Sequence, residues 1–142
     1  MNDSTNLPPE LIQAYRETHY RVEGVEPFTL KVDQVSSEVL KALAKRGLKS
    51  CAFVTAWNPY SIALKEEENT ILERKLNLHL NAQGLNHTPG EGVHPSNGWP
   101  GERSSLVWGV SETNAREIAE EFQQNAFIWV GEDGIPELIL MR

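Results

Sequence analysis

Apolar residues recur along the chain at two spacings, and the change from one to the other marks where elements begin and end. Leu11, Ile12 and Tyr15 share one side of a helix, and Pro8 and Pro9 precede them where a first helical turn tolerates proline. In "HYRVEGVEPFTLKV", Phe28, Leu30 and Val32 alternate with Thr29 and Lys31, which predicts two strands joined around Gly24 to Pro27. Ser36 or Ser37 is placed to cap a second helix with Leu40, Leu43 and Ala44 inward, Lys41 and Lys45 outward, and Gly47 ending it in a left-handed turn. "CAFVTAW" is apolar without alternation, the pattern of a strand covered on both faces, and therefore belongs near the centre of the sheet.

The longest helix is predicted over about residues 62 to 82. At about 100° per residue, Leu72, Leu76 and Leu80 form one stripe while Ile71 and Leu78 fall on the opposite side. Such a helix calls for two covers, the sheet and either the first helix or a second subunit. Residues 84 to 103, rich in Gly, Pro, Asn and His, read as a long loop, a kind of segment often functional. "SSLVWGV" is a strand, Ser111 caps a fourth helix carrying Ala115, Ile118, Ala119 and Phe122, and "NAFIWV" and "PELILM" form two strands around Gly131 to Gly134. Hairpins mixed with helical crossovers predict an α+β fold: one domain over residues 8–142 behind a flexible tail, residues 1–7. Its sheet is expected to be mixed and largely antiparallel, packed with about four helices.

Charge and cysteine content narrow the function classes. Thirteen Lys and Arg against twenty Asp and Glu give a net charge of −7, and the basic residues are scattered, which argues against nucleic acid as a partner. The single cysteine, Cys51, rules out an internal disulfide and multi-thiolate zinc sites, and fits a cytoplasmic setting. There is neither a basic segment followed by an apolar run at the N-terminus nor a stretch of about 18 apolar residues, so no signal peptide and no membrane span are expected. No glycine-rich turn of the GxGxxG or GxxxxGK type follows a strand, and no cofactor is expected.

Candidate chemistry gathers around "TAWNPYSIALKEEEN". Asn69 lies in line with Leu76 and Leu80, so an amide points at the sheet and needs partners, the nearest being Thr55, Asn58 and Ser61. Either Asn69 ties the "NPYS" loop to the helix, or Asn58, Ser61 and Asn69 form the polar floor of a ligand site at the carboxyl end of the strand 51–57. Glu66, Glu67 and Glu68 occupy the first helical turns, where the helix dipole favours negative charge, and read as capping residues. Trp57, Trp108 and Trp129 sit near strand ends and read as core, whereas Trp99, between Gly98 and Pro100, is a plausible ligand contact. His87, Glu91, His94 and Glu102 fall in the predicted long loop with no metal-ligand spacing, so no metal site is expected. Glu91 and Glu102 are the candidate acid or base residues.

In "AFVTAWNPYS", the helix with Glu68 and Asn69, "PGEG", "WPGERSSLVWG" and "FQQNAFIW", the chain resembles the bacterial family of domain of unknown function 3293, over about residues 11 to 141. The resemblance implies a small bacterial, cytosolic protein and brings no activity with it. The matching positions are Asn58, Pro59, Ser61, Asn69, Glu91, Gly92, Trp99, Glu102, Ser105, Gln124 and Asn125, a set that fits either a shared pocket or a group of loop ties. The family pattern has Phe-Gly-Gln where this chain has Phe122, Gln123 and Gln124, so Gln123 must take a left-handed turn at some cost or end the helix differently. These residues lead to a domain that binds a small polar ligand through Asn58, Ser61, Asn69, Trp99 and Gln124, with Glu91 or Glu102 supplying charge. The alternative is a protein-interaction or regulatory module without catalytic activity, self-associating through Ile71 and Leu78 as a homodimer.

Overall fold

The structure is a computed structural model and describes residues 5–142 of the chain. Four helices, α1 (Pro9–Glu17), α2 (Ser37–Arg46), α3 (Glu66–Ala82) and α4 (Glu112–Glu121), accompany seven strands: β1 (His19–Val22), β2 (Phe28–Leu30), β3 (Cys51–Thr55), β4 (His87–Val93), β5 (Glu102–Trp108), β6 (Ala126–Val130) and β7 (Glu137–Leu140). The strands form one curled sheet in the order β2-β1-β4-β5-β3-β6-β7. The α+β class and the four helices are as expected, and within the sheet every pairing is antiparallel.

β3 lies between β5 and β6, and its alternate side chains enter two separate cores. Cys51 and Phe53 pack with Leu106, Ile128 and Val130 beneath Val39 and Leu43 of α2. Ala52 and Val54 pack with Leu76 and Leu80 of α3 and Ala115, Ile118 and Ala119 of α4 on the other face. A strand buried on both faces has no use for alternation, which explains the unbroken "CAFVTAW" run. Ser36 caps α2 by accepting from Val39 N, and Gly47 closes it at φ 67°, a conformation that glycine adopts without steric cost. The inward positions of α2 are Val39 and Leu43; Ala44, expected there, is exposed.

Two boundaries differ from the sequence reading. α3 begins at Glu66 rather than near residue 62, because Pro59–Ser61 closes a 3₁₀ turn and the Glu68 carboxylate accepts from Lys65 N at 3.2 Å to start the helix. The expected loop over 84 to 103 contains β4, whose Pro89, Gly90 and Gly92 disguise a strand. Gly90 is required by close approach, since a Cβ there would collide with the Arg21 carbonyl oxygen of β1 and lie 2.8 Å from the Phe53 ring. Of the tail expected over residues 1–7, residues 1–4 lie outside the described residues; Leu7 is buried, and Thr5 Oγ1 donates to Arg142 O at 2.5 Å. Among the described residues no helix is long and apolar enough to cross a membrane.

Candidate functional site

α1 is amphipathic, yet none of its residues is fully buried. Leu11, Ala14, Tyr15 and Thr18 look onto a cavity of about 190 Å³ between this helix and the sheet, at the carboxyl end of β3. That volume is more than ten times the ~10–15 Å³ that admits one water, so it has room for a small molecule. One wall is apolar, built from Leu11, Tyr20, Phe53 and Leu138; the polar wall carries Asn58, Ser61, Trp99, Glu102 and Gln124.

The polar wall is held by a chain of hydrogen bonds whose direction is set from its far end. Asn69, 2% exposed on the sheet-facing stripe of α3, accepts from Asn58 N at 2.8 Å and donates Nδ2 to Asn58 Oδ1 at 2.8 Å. Asn58 Oδ1 also accepts from Leu64 N at 2.9 Å. With its oxygen so engaged, Asn58 presents only its Nδ2 forward, which donates to Glu102 Oε2 at 2.6 Å. Trp99 Nε1 donates to the same oxygen at 3.2 Å. Glu102 Oε1 accepts no hydrogen bond from the described residues, and the carboxylate lines the cavity. Burial pushes the Glu102 carboxyl above its ordinary range, against the smaller opposing effect of the two donors.

Ser61 joins the site from a different side. Its Oγ shares a 2.5 Å hydrogen bond with the Tyr15 hydroxyl and accepts from Asn125 Nδ2 at 3.0 Å. Burial raises the Tyr15 phenol, which stays protonated and a competent donor. Gln124 spends its Nε2 on the carbonyls of Trp57 and Phe122, at 3.1 and 3.2 Å, while its Oε1 accepts nothing from the described residues.

The backbone around this wall is strained. Asn58, Tyr60, Ser61 and Gln123 all have positive φ, at 48°, 55°, 60° and 56°, and Tyr60 N donates to Gln123 O at 2.7 Å, so the four form one patch. Left-handed non-glycine residues cost about 1–3 kcal/mol each and persist where surrounding bonds over-determine them, commonly at functional sites.

Among the residues predicted from sequence, Asn58, Ser61, Trp99, Glu102 and Gln124 meet at the cavity. Asn69 stands behind Asn58 and does not line the cavity, and Glu91 is not brought to it. On β4, Gly90 and Gly92 face Phe53 and Tyr20, so Glu91 between them points to the other face of the sheet, opposite Arg103 in register. His94 lines the rim, but its Nδ1 accepts from Ser96 N and Asn97 N, which leaves the ring proton on Nε2 facing Glu17 at 2.8 Å. Gln13 and His94 hold the Glu17 carboxyl below its usual range. Among the described residues no three His, Cys, Asp or Glu converge in a manner that would hold a metal ion. Ile71 and Leu78 are 52% and 66% exposed, because α1, the expected cover, lies on the opposite face of the sheet.

Sequence reasoning missed Tyr15, Tyr20 and Phe53 as site residues because each also fits an apolar core position. The one available signal was Tyr15, whose hydroxyl on an otherwise apolar helix face needs a partner when buried.

Neither the curated proteins nor the solved structures contain a match to this chain. A match to a protein family covers residues 54–127, from the end of β3 to β6, and contains every polar residue of the cavity wall from Asn58 to Gln124. Spanning more than half of the 142 residues, this match shows that the chain belongs to the family described as protein of unknown function (DUF3293).

Proposed function

We propose that the cavity between α1 and the sheet binds a small polar molecule that hydrogen-bonds Glu102. The observation that carries this reading is a half-buried carboxylate lining the cavity, with one oxygen fixed by Asn58 and Trp99 and the other unengaged among the described residues, beside space large enough for a ligand. Glu102 Oε1 stays accessible within the cavity while Oε2 is fixed, so it is free to accept from a ligand and is an anchor point. Ser61 and Gln124 Oε1 offer further polar contacts, Trp99 covers the mouth at 40% exposure, and Asn69 positions the wall from behind. The buried Cys51, its thiol pushed up to about 12 by burial, is chemically quiet and suits a reducing cytoplasm.

The test is a thermal-shift screen of the purified chain against sugars, amino acids, nucleosides and amines. A ligand at about 100 times its Kd adds about 2.7 kcal/mol of stability by mass action, a shift of several degrees. The expected result is a shift that Glu102→Gln abolishes. Shifts that survive Glu102→Gln unchanged, or the absence of any shift, would refute the reading.

The exposed pair Ile71 and Leu78, one face of α3 two turns apart, favours a second reading in which that face meets a second copy of the chain. Light scattering across a range of protein concentrations tests it, and an unchanging monomer removes it.

A further inference from the structure

We infer that the ligand is a small organic cation, an ammonium group on an apolar body. The inference rests on the cavity reading above and adds the charge and shape of the molecule.

The charge follows from what lines the space. Glu102 is the one carboxylate of the lining, and no Lys or Arg is among the lining residues. His94 is engaged elsewhere, its Nδ1 accepting from two backbone N–H groups and its Nε2 paired with Glu17, and it makes no hydrogen bond to Glu102. The two donors aimed at Glu102 Oε2 are neutral dipoles, and the fixed direction of the Asn69–Asn58 chain allows Asn58 nothing but donation. These donors favour the ionised carboxylate without neutralising it. No cation among the described residues of the site balances this half-buried carboxylate, and an ammonium on Oε1 supplies that charge with a charge-assisted hydrogen bond. An anion meets the reverse, a carboxylate with no cation to offset it. A net charge of −7 favours the approach of cations as well.

The shape follows from the register. Glu102 opens β5, whereas the Phe53 ring lies against Gly90, which pairs with Ser104, two residues further along the same strand and about 7 Å away at the strand rise per residue. Polar anchor and aromatic wall therefore sit at different depths, and one molecule engages both only with its charge at one end and its body at the other. Trp99, whose Nε1 donates to Glu102, lies beside the charged end and Tyr15 lines the same cavity, and aromatic rings attract cations.

The experiment titrates the full chain at about pH 8 with benzylamine, its neutral isostere benzyl alcohol and its anionic counterpart benzoate, by calorimetry or protein NMR shifts. Benzylamine is expected to bind at least tenfold more tightly than benzyl alcohol, with benzoate weakest. Glu102→Gln should bring benzylamine to within about twofold of the alcohol, and lowering the pH until Glu102 takes up its proton should do the same in the native chain. In case Glu102→Gln fails to fold, Trp99→Leu at the exposed mouth is the second arm, expected to weaken benzylamine more than the alcohol. Benzyl alcohol binding as tightly as benzylamine, or benzoate tighter than either, overturns the cation inference and leaves the cavity reading standing. No binding by any of the three overturns both.

Discussion

Asn69→Ala is the most informative single perturbation, because it separates holding the site from touching the ligand. The side chain makes two buried hydrogen bonds to Asn58, one to its backbone N–H and one to its side-chain oxygen. Each is worth about 1 kcal/mol net, and truncation leaves the Asn58 N–H buried without a partner, a further cost of about 1–3 kcal/mol. Asn58 Oδ1 keeps the Leu64 N–H and is not orphaned. The expected loss is therefore about 3–5 kcal/mol, read as a lower midpoint with unchanged slope in urea unfolding. For a domain of this size that corresponds to roughly 10–17 °C in Tm. Asn69→Asp should be no milder, since it replaces the donor to Asn58 Oδ1 with a second acceptor. A loss below about 0.5 kcal/mol for Asn69→Ala would refute the claim that this amide holds the loop, and with it the fixed direction of the bonds reaching Glu102.

Two further substitutions test different links of the argument. Gln123→Gly should stabilise the protein by up to about 1 kcal/mol, because Gln123 is exposed, has φ 56° and pays for a conformation that glycine adopts freely; a loss of stability in urea unfolding would show that its side chain supports the turn instead. Burial raises the Glu102 carboxyl above its unfolded value, so its contribution to stability is fully present below the unfolded pKa and is lost as pH rises through the folded one. The Tm of Glu102→Gln relative to the native chain should accordingly rise from about pH 4 to about pH 8, and a constant difference would refute the shift. Taking the difference between the two proteins cancels the opposite trend from Glu17, Glu23 and Glu26, whose partners hold them below the usual range.

The sequence made the elements legible wherever a residue pattern reports on its own surroundings. β3 announced burial on both faces, Ser36 and Ser111 announced caps, and Asn69 betrayed itself as an amide in an apolar stripe. β4 was hidden because its composition answers to a neighbour distant in sequence: Gly90 is glycine on account of the Arg21 backbone and the Phe53 ring. Propensity reads Gly and Pro as loop, and only the pairing with β1 and β5 reveals a strand. Missing β4 also misplaced Glu91, since a loop gives a side chain no facing and a strand gives it one. Glu91 and Glu102 are alike as carboxylates in the sequence, and strand parity sends one to each side of the sheet.

The same reasoning explains why a cavity exists at all. The sheet curls, and its two faces are not covered equally: α3 and α4 fill one with Leu76, Leu80 and Ile118, while on the other α2 covers only the end of β3 nearer Cys51. Over the Thr55 end stands α1, a helix with an apolar face and no fully buried residue, tied on by Tyr15 to Ser61 and by Tyr20 to the Tyr15 carbonyl at 2.6 Å. An apolar face left unpacked against an apolar wall forfeits the burial that would stabilise it most, and four left-handed residues beside it add strain to the same end of the molecule. Stability alone would fill the space and relax the turns. What that arrangement retains is the Glu102 carboxylate, held by two donors on one oxygen and open on the other, at the edge of a space fitted to an apolar body. A molecule bridging the two would recover both losses at once, which is why the charge and the shape of the ligand are best sought together.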